Sequence, residues 1–387
     1  MRILMIATIF PPGVGGVEIH AVEIARFLLN QGHVLQIVAP ENEGEDADIG
    51  SALPVKRLLK GNPVQDLRLL KETFLHFAPD VVYLNDSCCL PHLHLLKRRH
   101  AFRMVSRTDG NDIEGAWVWG LLYWTPLFMR RPLMLACLKS ADRVIANSRY
   151  TEKLLWRYRV PKQKICVIPG GVDIQRFRPV AEAAQLRIEK GYHPDDRIIL
   201  TVARLVRFKG IDDVIQAVAR LKPDFPRLQY AIVGDGPQRK KLQELIRSLK
   251  AEDFVQLWGK ISPAQVTSFF QLCDIYVQPS KNIHRRTLFA SYSHTETMGR
   301  VYCEAGACGK AVIAGRTGGV TDVVQEGVNG LLVNPGNVDE ICQAINTLLS
   351  DPSLASQLGS GGLKMARDVF LWERVGDKTE RVITGTV

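Results

Sequence analysis

Short apolar runs alternate with longer amphipathic stretches along the first half of the chain. RILMIATI is followed by GGVEIHAVEIARFLLNQG and then by VLQIVAP. In the middle stretch Val17, Ala21, Ile24, Ala25 and Leu28 recur at helical spacing and Gly32 supplies a stop, so strand, helix, strand is the predicted order. A crossover helix implies that the strands it joins are parallel. Further strand-like runs at Asp80 to Leu84, Phe102 to Arg107, Arg143 to Ala146 and Lys164 to Ile168 complete one doubly wound domain. Pro169 to Pro179, with Gly170 and Gly171, breaks the pattern and reads as a linker. The alternation then restarts with IILTVARL, a helix from Gly210 carrying Ile211, Val214, Ile215, Val218 and Leu221 on one face, and QYAIVG. VQLW, a helix from Ser262, DIYVQP, a helix near Arg300, KAVIAG and LLV at Leu331 make a second domain of the same kind. The last segment reads as two helices hinged at Gly359 to Gly362, the final one returning to the first domain. The predicted fold class is α/β, two doubly wound Rossmann-like domains: 1–175 completed by 368–387, and 176–367. Ligands of open parallel sheets sit outside the carboxyl ends of the strands, so the two domains are expected to face each other across a cleft, and the residues just after each strand are the ones to read.

A length of 387 residues agrees with two cores of ordinary size. The 46% hydrophobic and 23% charged composition excludes disordered and fibrous classes. Arg2 to Ile9 is short and runs into Pro11 and Pro12, which fits a strand better than a signal peptide, so cytoplasmic residence is expected, with the inner membrane face as a peripheral alternative. The eight cysteines form no Cys-x-x-Cys pair and read as reduced packing residues, Cys303 and Cys308 included. A net charge of +10 favours polyanionic partners, but the basic residues fall in small groups without a nucleic-acid module, so no nucleic-acid partner is expected.

Three constellations follow strands. After the first, Gly13-Val-Gly15-Gly16-Val-Glu18 is a glycine-rich turn feeding a helix, where bare backbone amides and the helix dipole suit a phosphate; Glu18 stands where the dinucleotide fingerprint has glycine. A plain tight turn is the bland alternative. After IILTV, the run Ala203-Arg204-Leu-Val-Arg207-Phe-Lys209-Gly210 places cations ahead of a helix, as a diphosphate requires, unless it is only a solvated basic loop. The sharpest signal is Glu296-Thr-Met-Gly-Arg300-Val-Tyr-Cys-Glu304 with its continuation AGACGKAV. If Gly299 opens a helix, Glu304 lies inside it and Glu296 in the loop before it, and carboxylates suit sugar hydroxyls.

Together the GGVE turn, ARLVRFKG, VGDGP, LWGKI, the Glu-x7-Glu segment and GGVTDVVQEGVNGLLV resemble the family 4 retaining glycosyltransferases of the GT-B fold, over nearly the whole chain. The resemblance implies that Gly15 and Gly16 meet a donor diphosphate, that Arg204 and Lys209 hold it, and that the backbone near Lys260 and Ile261 reads the base. It further implies that Glu304 binds the ribose, with Glu296, Met298, Gly299 and Arg300 around the transferred sugar. Glu296, Asp109, Arg204 and Lys209 are then the candidate catalytic residues. Such enzymes need no metal or other cofactor, since Arg and Lys neutralise the leaving diphosphate; the Asp46-x-Asp48 pair beside Glu43 and Glu45 reads as a solvated turn. The implied activity is retaining transfer of a hexosyl or N-acetylhexosaminyl group to a hydroxyl of a small polyol or aminocyclitol, a lipid or a glycan. UDP-N-acetylglucosamine or UDP-glucose is favoured over GDP-mannose as donor.

Two positions depart from the pattern. Thr108-Asp109-Gly110 stands where many relatives have His-Gly, and Thr297 replaces the usual glycine after the first glutamate. Asp109 in that place orients an acceptor hydroxyl or amine, or binds a cationic acceptor, or is a turn residue before Gly110. Ala116 to Met129, with Trp117, Trp119 and Trp124, is too short to span a bilayer and reads as an interfacial segment, an acceptor-pocket wall or a packed helix. Lys281 to Thr295, with Arg285 and Arg286, reads as a long loop bordering the acceptor entrance. The rivals are a GT-B sugar-nucleotide epimerase or phosphorylase and a basic peripheral protein binding membrane or nucleic acid.

Overall fold

The computed structural model describes residues 1–12, 15–41, 53–86, 90–114, 127–286 and 291–386. They form two compact units: 1–170 with 284–297 and 372–387, and 171–283 with 298–371. Residues 284–297, expected in the second domain, group with the first unit.

In the first unit, strands β1 (Arg2–Ile6), β2 (Val34–Pro40), β3 (Val55–Leu59), β4 (Val81–Leu84), β5 (Arg103–Thr108), β6 (Arg143–Ala146) and β7 (Ile165–Val167) make one sheet in the order β3-β2-β1-β4-β5-β6-β7. All its registered pairs are parallel. The period of two sends Leu4, Ile6, Val82 and Leu84 to one face, against Met134 and Leu138 of helix Leu127–Ser140. Ile3, Met5 and Tyr83 go to the other, against Ala21, Ile24 and Leu28 of helix Gly16–Asn30 and Val375 and Ile383 of helix Trp372–Thr384. Burial on both faces explains why the runs are continuously apolar. Strand β3 escapes the sequence reading because VKRLL lies at the sheet edge and only Leu59 is buried.

The second unit repeats the plan. Its strands are β8 (Arg197–Val202), β9 (Leu228–Val233), β10 (Val255–Gly259) and β11 (Ile275–Gln278), then, after the two-stranded sheet of β12 (Ile283–Arg286) and β13 (Ser291–His294), whose residues from 284 on group with the first unit, β14 (Ala311–Gly315) and β15 (Gly330–Val333). Leaving aside β12 and β13, the strands form a parallel sheet in the order β10-β9-β8-β11-β14-β15. In each sheet the order reverses beside the first strand, between β1 and β4 and between β8 and β11, which is where such sheets receive ligands.

Two expectations are corrected here. The stretch 281–295 holds the β12–β13 pair and is not simply a long loop. The hinge at Gly359 to Gly362 is absent: Pro352–Asp368 is one helix. Its glycines serve close packing, since a Cβ on Gly362 would lie 2.8 Å from the Cα of Gly306 and one on Gly359 would lie 2.1 Å from the carbonyl oxygen of Gly309. Residues 115–126, with most of the tryptophan-rich stretch, lie outside the described residues, as do Gly13, the acidic turn at Glu43 to Asp48, and the side chains of Arg285 and Arg286. No described helix is long and apolar enough to cross a membrane.

Candidate active site

The cation loop of the second unit is held by glycines that leave no room for a side chain. Gly234, at φ +133°, would place a Cβ 1.9 Å from the carbonyl oxygen of Ala203, and Gly236 one at 2.6 Å from that of Leu205. The amide of Leu205 donates to the carbonyl of Asp235, and that of Gln238 to the carbonyl of Leu205, both at 2.9 Å. VGDGP thus grips the residues on either side of Arg204, whose own side chain is exposed. Lys209 is half-buried, its Nζ 5.1 Å from the centre of the Phe208 ring, in a tight turn ahead of helix Ile211–Leu221. Asp212 and Asp213 in the first turn of that helix take Lys281, whose Nζ lies 2.8 Å from Asp213 Oδ1. The carboxylates favourable to the helix dipole are therefore tied to Lys281.

Gly299, in the left-handed region at φ +84°, starts helix Arg300–Ala307, so Glu304 lies inside it and Glu296 in the segment before it. Glu304 is 8% exposed. Arg300 Nε donates to its Oε1 at 3.1 Å, one helical turn away, while Arg300 Nη1 is buried with no hydrogen-bond partner among the described residues. A buried carboxylate paired through one oxygen and a guanidinium with an unused N–H constitute a polar end suited to hydroxyls or phosphate. Met298 and Gly299 are buried, Lys260 is exposed, and Ile261 is half-buried just before the Ser262 capping box of helix Pro263–Leu272.

In the first unit, Gly15 and Gly16 begin helix Gly16–Asn30. A Cβ on Gly15 would meet Glu18 Oε2 at 2.5 Å, whereas one on Gly16 would meet nothing within 4 Å among the described residues. The Glu18 carboxylate occupies the position over the turn that the helix dipole favours for a negative group. Asp109 follows β5. Its Oδ1 lies 2.7 Å from Arg107 Nη2 in an ion pair and accepts a hydrogen bond from Asn147 Nδ2 at 3.0 Å. Arg107, itself 4% exposed, is the positive group that a carboxylate in this setting requires, so a cationic acceptor is not needed to account for Asp109. Asn147 Nδ2 also donates to Thr297 Oγ1 at 3.1 Å, and Asn111 Nδ2 donates to the carbonyl of Thr295 at 3.2 Å. Both neighbours of half-buried Glu296 are thus tied to the loops after β5 and β6.

Sequence reading missed Arg107, Asn147 and a further group after β1 and β4. There Thr8 donates through its amide at 2.8 Å and its hydroxyl at 2.6 Å to the two Asp86 oxygens, and His20 Nδ1 lies 3.0 Å from Asn85 Oδ1. Asn147, Asn85 and Asp86 directly follow strand ends, so the rule applied to Asp109 finds them too.

The family profile for glycosyl transferases group 1 matches residues 183–365, and that for glycosyltransferase family 4 matches residues 14–176. The chain belongs to the family 4 glycosyltransferases. This glycosyltransferase is 29% identical over 392 residues to a GDP-mannose-dependent alpha-(1-6)-phosphatidylinositol monomannoside mannosyltransferase of Mycolicibacterium smegmatis, covering 99% of this chain and 98% of the relative. Among solved structures, the sucrose-phosphate synthase of Thermosynechococcus elongatus superposes with a TM-score of 0.84 at 23% identity, over 100% of this chain and 98% of that one. HepE of Anabaena in complex with UDP does so with 0.82 at 21%, covering 100% of both chains. These superpositions establish the GT-B fold. The glycosyltransferase acts on a sugar donor and an acceptor.

Proposed function

We propose that this glycosyltransferase moves a hexosyl group, mannosyl first, from GDP-mannose to a hydroxyl of a lipid-borne polyol or glycan, with retention at the anomeric carbon. The observation that carries the donor and acceptor choice is the end-to-end similarity to the mycolicibacterial mannosyltransferase. It moves the preference away from UDP-N-acetylglucosamine and UDP-glucose, for which the UDP complex of the structural relative HepE is the remaining support.

In this reading Arg204 and Lys209 neutralise the diphosphate as it leaves, which accounts for an exposed arginine on a loop that two glycines and two backbone hydrogen bonds fix in place. Glu304 accepts from the ribose hydroxyls, Glu296 and the amides of Met298 and Gly299 hold the sugar, and the backbone at Lys260 and Ile261 meets the base. Gly16 stands at the amino end of helix Gly16–Asn30, where a Cβ would meet no described atom within 4 Å, and the leaving diphosphate takes the acceptor proton. The net charge of +10 suits work at an anionic membrane surface, where a lipid acceptor resides.

A panel of GDP-mannose, UDP-glucose and UDP-N-acetylglucosamine, each with and without a phosphatidylinositol-type acceptor, tests the reading. Nucleotide release from GDP-mannose that rises with acceptor, with an α-linked product, is the expected result. Isomerisation of a donor without acceptor would assign an epimerase instead.

A further inference from the structure

The two departures from the family pattern, Asp109 and Thr297, are joined by one side chain. Asn147 Nδ2 donates to Asp109 Oδ1 at 3.0 Å and to Thr297 Oγ1 at 3.1 Å, while Asn147 Oδ1 accepts from Thr151 Oγ1 at 2.7 Å. The amide cannot turn over without facing its oxygen toward a carboxylate, so its orientation is fixed by charge. On its far side Asp109 meets Arg107 Nη2, and both contacts fall on Oδ1. A quarter of the Asp109 side chain is exposed, and Oδ2 has no hydrogen-bond partner among the described residues. A second tie, from Asn111 Nδ2 to the carbonyl of Thr295, brackets Glu296 from the other side.

We propose that Asp109 and Thr297 form one linked specificity determinant, in which Asp109 Oδ2 accepts from a hydroxyl of a sugar or polyol substrate and Thr297 sets the placement of Glu296. Arg107 and Asn147 are the positioning residues. Glycine at 297 would offer Asn147 no oxygen, and histidine at 109 would offer Arg107 no carboxylate, so the two side chains belong together. The inference rests on the reading of Glu296 as sugar-binding. It adds that the hydroxyl preference is set jointly from the ends of β5 and β6.

The test is a double-mutant cycle with the near-isosteric changes Asp109→Asn and Thr297→Val, reading kcat and KM for transfer together with donor hydrolysis in the absence of acceptor. Each single change is expected to lower kcat/KM about tenfold and the double change no more than about twofold further, because groups in one hydrogen-bond network do not act additively. Losses that multiply would overturn the proposal. If hydrolysis also falls in Asp109→Asn the hydroxyl belongs to the donor sugar; if only transfer falls it belongs to the acceptor; if neither falls, Asp109 reads no hydroxyl and the proposal is wrong. Amide hydrogen exchange of residues 293–299 gives a readout that does not depend on turnover. Thr297→Val and Asn147→Leu should speed it alike while the nucleotide-induced rise in melting temperature is kept, and unchanged exchange would remove the network. Absence of turnover by the unmodified enzyme with every nucleotide sugar would sink the proposed function and leave the exchange result to decide the network.

Discussion

Glycines at the two glycine-rich turns do opposite things. In the second unit Gly234 and Gly236 lie so near the carbonyls of Ala203 and Leu205 that a Cβ would overlap them, and what they secure is internal: the posture of the loop bearing Arg204. In the first unit a Cβ on Gly16 would meet nothing within 4 Å among the described residues. Packing explains the glycines of the second unit and, among the described residues, does not explain Gly16. Glycine content alone therefore distinguishes neither role, and the distance from each missing Cβ to its nearest neighbour does.

The largest expected effect lies outside both turns and calibrates them. Glu296→Ala should lower kcat by about a thousandfold, the scale of losing a group that acts on charge developing in the transition state, while GDP still raises the melting temperature as in the unmodified enzyme. Weakened nucleotide binding with intact turnover would reverse that assignment. Gly234→Ala should destabilise by roughly 3 kcal/mol or more in urea denaturation, since it combines strained backbone with steric overlap; a loss under about 1 kcal/mol would show that the grip on Ala203 is slack. Gly16→Ala should keep the unfolding free energy within about 0.5 kcal/mol, as a change without new contacts does, yet lower kcat/KM about tenfold. Equal loss of stability at Gly16 and Gly234 would erase the contrast. The smallest effect is expected at the buried thiols. Burial pushes Cys273 up to about 12 and raises Cys303 and Cys308 further, so at pH 8 they stay protonated and, being enclosed, unlabelled by iodoacetamide in the native enzyme. Rapid labelling of Cys303 with loss of activity would contradict their reading as packing residues.

Most of the fold was legible because parallel strands buried on both faces read as continuous apolar runs, as RILMI and AVIAG do. VKRLL was not, since an edge strand lacks that signal. The glycines at 359–362 misled for a physical reason: glycine permits a hinge and also permits two helices to touch, and only the partner Gly306, more than fifty positions earlier, decides between them. Among the candidate residues, Arg204, Lys209 and Glu296 stood out because each follows a strand or precedes a helix, and Glu304 because it ends the Glu-x7-Glu run. Arg107 and Asn147 did not, because their significance lies in what they touch, Arg107 the carboxylate of Asp109 and Asn147 both Asp109 and Thr297, which no spacing along the chain expresses.

Titration calorimetry with guanosine, GMP and GDP on the unmodified enzyme and on Arg204→Ala and Lys209→Ala addresses the diphosphate grip most directly. GDP should bind the unmodified enzyme far more tightly than guanosine, and each substitution should weaken GDP by about thirtyfold or more, the loss of a charge-assisted contact, while guanosine binding stays as it was. Equal affinities for GDP across the three proteins would contradict the assignment of these cations and, with it, the mechanism built on them.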